Sequence, residues 1–148
     1  MGLRDTKTRK ADVLAALGAQ KDLWIATADR EGQAHLIAVS AWWDGTGVVI
    51  ATLGTSRTAR NLSDNPTARL ALGAPDDVTM IDARVSDRRP VSDSTELADG
   101  FAAAVGWDPR GAGQGWVFFR LEPQRVQAYK GYDELEGRDV MRRSRWLA

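Results

Sequence analysis

"WDGTGVVIATLGTSRTARNLSDNPTARLAL", residues 43–72, carries a turn, a strand, a short helix and a second strand in one run. DGTG at 44–47 is a hairpin signal, because glycine tolerates the positive φ that a tight turn between strands demands. The β-branched run VVIATL, 48–53, predicts a strand. Ser56 stands at the N-cap position of a short helix over 56–65, with Ala59 and Leu62 as its small apolar face. Asn65-Pro66 ends that helix, since proline drives the residue before it out of the helical region. TARLALG, 67–73, predicts the next strand.

Upstream, DLWIATADREGQAHLIAVSAWW predicts two strands, the first opening at Leu23–Ile25 and the second running from Ala34 to Trp43, joined through Gly32. With 48–53 they form a meander of antiparallel strands. TRKADVLAALGAQ (8–20) spaces Val13, Leu14 and Leu17 as a helix face, with Gly18 as a left-handed stop. Downstream, 78–87 alternates as a strand, and 93–108 predicts a helix capped by Asp93 or Ser94 with Leu97, Phe101 and Val105 on one face. WVFFRLEPQRVQAYK (116–130) reads as a strand pair or one bent strand, broken near Pro123. Strands arrive consecutively rather than alternating with long helices, which disfavours a doubly wound parallel sheet. The expected class is mainly β with peripheral helices: an antiparallel barrel in a single domain over 1–148. Its parts are a helix at about 8–18, a barrel at about 22–130 and a docked tail at 131–148, helix-like in pattern, whose Trp146 and Leu147 a solvated end would not need.

Composition narrows the chemistry. A chain of 148 residues, 43% hydrophobic and 27% charged, can bury a sizeable core. Twenty basic residues balance twenty acidic ones, so wholesale binding of nucleic acid or anionic membrane is not expected. No cysteine is present, and His35 is the only histidine, which leaves no thiolate nucleophile and no basis for a metal site. The basic start MGLRDTKTRK lacks a following apolar stretch, and no run reaches a membrane span. A cytoplasmic protein is the expectation.

The one concentrated constellation is Thr55, Ser56, Arg57, Thr58 and Arg60. Unpaired N–H groups at a helix start favour an anion, and the planar fork of arginine suits phosphate. Arg57 and Arg60, three apart, lean to the same side of a helix. Two readings stand on the residues alone: a capped helix with solvated arginines, or a seat for an anion. Arginine in a first turn opposes the helix dipole, which favours the second.

The order of elements, together with residues 43–72, resembles the pyridoxamine 5′-phosphate oxidase-like superfamily of split β-barrel flavoproteins. The short chain is similar within it to the flavin/deazaflavin oxidoreductases typical of actinobacteria. The resemblance spans roughly residues 10–130. In that family a Ser-Arg-Lys after the third strand grips the cofactor phosphate; Ser56 and Arg57 match, Thr58 replaces the lysine, and Arg60 can restore the charge. The resemblance implies a homodimer with cofactor sites at the interface, FMN or coenzyme F420 as cofactor, and a ring lying against Ile37, Ala38, Val39, Ser40 and Thr52. Replacement of the lysine leans the expectation toward F420. Oxidation of pyridoxamine phosphate itself is disfavoured, because the matching C-terminal substrate residues are missing.

Other features carry weaker chemistry. Trp42 and Trp43 face opposite ways on a strand, so either can pack in the barrel or wall a substrate cavity, together with Trp116. Trp107 and Trp146 are candidates for a wall from a second subunit. His35 is a proton donor by residue type or a surface residue near a turn. DELE (133–136) reads as a solvated face that offsets the basic MRRSRW, and GAGQG (111–115) lacks the strand and helix of a phosphate loop. No side chain is assigned a catalytic role. The expected function is hydride transfer between F420 or FMN and a small-molecule substrate. The alternative is a non-catalytic protein binding a flavin, a tetrapyrrole or another flat anion on the same barrel.

Overall fold

The computed structural model describes residues 3–148. Asp5 caps α1 (Thr6–Ala19) by accepting a 2.7 Å hydrogen bond from the Thr8 N–H. The helix runs through Gly18 and stops at Gln20, whose backbone is extended, so the expected glycine stop is not used. A meander follows: β1 (Asp22–Ala28), β2 (Ala34–Trp43) and β3 (Val48–Leu53). Next come α2 (Arg57–Asp64), β4 (Thr67–Ala74) and β5 (Asp77–Pro90). α3 (Thr95–Val105) ends on Gly106 in the left-handed conformation, and β6 (Trp116–Tyr129), β7 (Asp139–Arg142) and β8 (Arg145–Trp146) complete the chain.

Every strand pairing is antiparallel. The order β3-β2-β1-β4-β5-β6 closes on itself because β3 also pairs with β6, giving a six-stranded barrel with β7 and β8 appended beyond β6. Alternate residues point inward: Leu23 and Ile25, Val48 and Ile50, Leu70 and Leu72, Phe119 and Leu121 fill the interior. Val13 and Leu17 of α1 join the same core. A second apolar layer lies outside β3 and β6, where Val49, Ala51 and Phe118 pack against Ala98 and Phe101 of α3.

β6 is one continuous strand of 14 residues, not a pair broken at Pro123. Pro123 falls between Leu121, where pairing with β3 ends, and Val126, where pairing with β7 begins; it also sits at a register shift against β5. A residue without an N–H is tolerated at such a gap in the ladder. β5 likewise runs on to Pro90, past a bulge at Ser86.

The tail docks as a β-hairpin, not a helix, turning through Arg143 and Ser144 at positive φ. What ties it down is charge. Glu134, buried within DELE rather than solvated, accepts from the Arg4 side chain and from the backbone N–H of Arg4 and Lys130. Arg9, 2% exposed, donates to the carbonyls of Ala128 and Glu134 at 3.0 Å and to Glu136 at 3.2 Å. The chain start thereby clamps the strand end and the tail together. No helix among the described residues is long and apolar enough to cross a membrane.

Hydrogen bonding to Arg4 pulls the Glu134 carboxyl from the ordinary 4.5 down to about 2. Its folded pKa lies below its unfolded one, so its contribution is complete above about pH 4.5 and is lost as pH falls toward about 2. Glu134→Gln leaves the half-buried Arg4 guanidinium with Asp12 as its remaining carboxylate partner and costs about 2 kcal/mol at neutral pH. Urea melts at pH 7 and pH 3 check both points: the wild type weakens over that interval more than the variant does.

Candidate functional site

Two ladders of the barrel wall are short: β1 pairs with β4 only through Trp24↔Ala71, Ile25↔Leu70 and Ala26↔Arg69, and the β2–β3 ladder is equally brief. β2 and β3 pair only through Ala41↔Ile50, Trp42↔Val49 and Trp43↔Val48. The same register would next set Ser40 against Ala51 and Val39 against Thr52, but the strands part there. β2 remains bound to β1 throughout this stretch, from Asp22↔Ser40 to Ala28↔Ala34. The Ala41 N–H donates to Lys21 on the β1 side, and the Asp44 N–H to Gly47 on the β3 side. Backbone direction alternates along an antiparallel strand. The N–H and C=O groups of Leu36, Ala38 and Ser40 therefore face the opening, while those of Ile37 and Val39 bond to β1.

α2 spans this end of the barrel, from the end of β3 to the start of β4. Ser56 caps it by accepting from the Ala59 N–H at 3.1 Å, and its hydroxyl lies 2.8 Å from that of Thr52. Ala59 and Leu62 turn into the core, at 0% and 2% exposure. Asn61, also buried, donates from Nδ2 to the Thr27 hydroxyl at 3.0 Å. That bond satisfies two polar groups inside the closed end, and nothing in the local sequence marked Asn61 for the role.

Thr55, Arg57 and Arg60 are exposed and Ser56 is half-buried, all at one end of the opening. Among the described residues neither Arg57 nor Arg60 joins an ion pair or a side-chain hydrogen bond. Thr58 is 2% exposed and faces the protein, so the hydroxyl replacing the family's lysine lies behind this surface. Thr52 and Val39 are buried beside the opening, whereas Ile37 (42% exposed) and Ala38 are open to it. Thr52 and Ser56, joined through their hydroxyls, and the exposed Thr55, Arg57 and Arg60 thus follow the end of β3 where it parts from β2, while Thr58 lies behind them. His35 is half-buried across from Thr27, on the inward side of β2.

The tryptophans do not converge there. Trp42 packs with α3: a Cβ on Gly100 would come within 2.6 Å of its ring, so the helix needs glycine at that point of contact. Trp116 stacks edge-on against Trp107, ring centroids 5.1 Å apart, in the same outer layer. Trp43 lies on the other side of its strand against the barrel core, near Met141 and Trp146. Trp42 and Trp116 thus share the outer layer with α3, and Trp43 packs on the barrel core.

A family model for pyridoxamine 5′-phosphate oxidase matches residues 10–130. No curated protein sequence matches the chain. Among solved structures, an F420 reductase superposes with a TM-score of 0.64 at 17% identity, covering 76% of this chain and 93% of that one. HutZ, the heme storage protein from Vibrio cholerae, gives a TM-score of 0.62 at 19% identity, with 93% and 99% covered. A putative pyridoxamine 5′-phosphate oxidase from Listeria innocua gives 0.65 at 11% identity, with 80% and 96% covered. Likenesses at such identities establish the shared split barrel.

The side chains at the opening divide by what they do for the fold. Ser56→Ala removes the cap and the partner of Thr52, and is expected to cost about 1 kcal/mol. Arg57→Ala and Arg60→Ala remove no contact within the fold and leave stability within about 0.5 kcal/mol. Equilibrium urea unfolding of the three variants checks the contrast.

Proposed function

The chain belongs to the pyridoxamine 5′-phosphate oxidase family, and from that premise we propose that it is a flavin- or deazaflavin-dependent oxidoreductase using FMN or F420. The observation that carries this reading is the parting of β2 from β3 beside a capped helix start whose arginines have no carboxylate partner. A flat ligand with a phosphate arm needs both halves of such a site: in-plane hydrogen-bonding groups for the ring and cationic donors for the arm.

The donor set fits. Thr55, Ser56, Arg57 and Arg60 hold the phosphate, assisted by the free N–H groups and positive end of α2. Thr58, the remaining member of the cluster, supports that turn from within. Leu36, Ala38 and Ser40 offer backbone groups to the ring edge, while Ile37, Val39 and Thr52 form the surface beneath it. The bound cofactor supplies the hydride chemistry, so the protein's task is to anchor, orient and shield. No side chain of the chain is required as an acid or base for transfer to an activated acceptor.

Two copies complete the site in this reading. Trp24 (51% exposed) and Leu36 (64%) stand on the outward side of β1 and β2, where Trp24 opposes Ala38 and Ala26 opposes Leu36. Large apolar side chains left in water on one sheet face mark a surface that a partner covers. The alternative function, non-catalytic binding of a flavin, a tetrapyrrole or another flat anion, is kept in play by the heme storage protein that shares the fold.

Titration of the purified protein with FMN and with F420, followed by visible absorbance, separates flavin or deazaflavin binding from tetrapyrrole binding, and turnover of the reduced bound cofactor with an acceptor separates the oxidoreductase from a binding protein. One of the two cofactors binds at low micromolar concentration, and Arg57→Ala weakens it about tenfold, the loss of a charge-assisted hydrogen bond. A protein that binds neither, or that takes up a tetrapyrrole instead, removes the basis for the oxidoreductase reading.

A further inference from the structure

We propose that Arg88, on β5, is a third cation of the phosphate seat, reaching it across β6 on the inner side of the barrel end. The proposal rests on the ligand reading above and adds to it a residue from an element that reading does not use. Arg88 pairs across the strands with Phe119, and Pro90 with Val117. Phe119 and Val117 belong to the barrel interior, so Arg88 stands on the inward side of β5 at the open barrel end, exposed, where β5 overruns the start of β4. Its guanidinium carbon lies 5.5 Å from the centroid of the Phe119 ring. That cation–π contact holds a long side chain in place before any ligand arrives.

The place where it is held is the turn into α2. A Cβ on Gly54 would stand 3.5 Å from Arg88 Nη2, 3.6 Å from Val117 Cγ1 and 3.3 Å from the Gly115 carbonyl oxygen. The Gly54 N–H donates to that same carbonyl at 2.8 Å, so the turn is drawn tightly against β6. The guanidinium thus lies in ordinary contact range of the backbone that leads through Thr55 to the Ser56 cap. Arg88 therefore approaches the helix start from the side opposite the β2 edge.

Charge gives the contact its meaning. The neighbouring Asp87 is engaged by Arg89. Arg57, Arg60 and Arg88 enter none of the ion pairs among the described residues, although the chain as a whole is electrically neutral. Guanidinium groups gathered from two elements with no carboxylate between them repel one another unless an anion intervenes. A phosphate group answers this arrangement, since it presents several oxygens to planar donors arriving from different sides.

The test compares each cofactor with its phosphate-free counterpart: FMN with riboflavin, and F420 with its deazaflavin chromophore lacking the phosphate-bearing tail. Wild type, Arg88→Ala, Arg88→Lys and Arg84→Ala are titrated by fluorescence, with thermal melts to verify folding. Arg84 is an exposed arginine of the same strand that opposes Thr67, away from Gly54. Arg88→Ala weakens the phosphorylated ligand by about 10- to 100-fold and leaves the phosphate-free one unchanged. Arg88→Lys recovers part of the loss, and Arg84→Ala binds like wild type. If wild type prefers the phosphorylated ligand and Arg88→Ala retains that preference within twofold, Arg88 lies outside the seat and the cofactor reading stands without it. Equal loss for both members of a pair also overturns the assignment, showing that Arg88 supports the turn rather than the phosphate. If wild type binds neither cofactor, the assignment and the cofactor reading fall together.

Discussion

Backbone pairing between β2 and β3 ends where Ala41 meets Ile50, and the rest of the molecule is arranged around that break. In a closed barrel each strand satisfies its N–H and C=O groups on two sides. The first half of β2 satisfies them on one side only. Burying the other side would strand polar groups, and leaving a long flat edge in water would invite unwanted strand addition. The fold meets this by bringing α2 across the barrel end, where Ala59 and Leu62 close the core and the Asn61–Thr27 bond satisfies the polar interior. What remains is a short edge, rimmed by a helix start and by arginines.

The charges sort along the same division. At the end held by α1 they are tied: Arg4 to Glu134, Arg9 to three backbone carbonyls, and Asp139 to Arg125, Arg142 and Gln127. Those contacts join the beginning of the chain to its tail. At the end closed by α2, Arg57 and Arg60 of the helix and Arg88, whose guanidinium lies against Gly54, have no carboxylate partners among the described residues. A protein of zero net charge can thus carry a strongly local positive site, which is the kind of asymmetry that selects a small anion rather than a polyanion.

How much of this could be read from the residues depends on how local its cause is. The bounds of β2, β3 and α2 follow from the DGTG turn, the β-branched run, the Ser56 cap and Asn65-Pro66, each acting within a few positions of itself. β6 was less legible, because a proline in a strand is acceptable only where a ladder has a gap, and that gap is set by β3, β5 and β7 together. The tail hairpin turns on Arg143 and Ser144, residue types that do not announce positive φ. Glu134 looked solvated among its acidic neighbours because its partner stands at position 4. At the site, the hydroxyl and arginine cluster was visible as one stretch, whereas the place of Arg88 depends on the register of three strands. Where the tryptophans pack was illegible for a related reason: Trp42 and Trp116 meet α3 and its layer, a surface that the strands alone do not define.

The claim on which the account rests is that the free side of β2 is where a flat ligand lies. Residue-resolved amide hydrogen exchange, with and without saturating FMN or F420, tests it most directly. In the free protein the Leu36 and Ala38 amides exchange quickly and those of Ile37 and Val39, bonded to β1, exchange slowly; on binding, Leu36 and Ala38 become protected. Slow exchange at Leu36 and Ala38 in the ligand-free protein, or a bound state in which they stay unprotected, would contradict it.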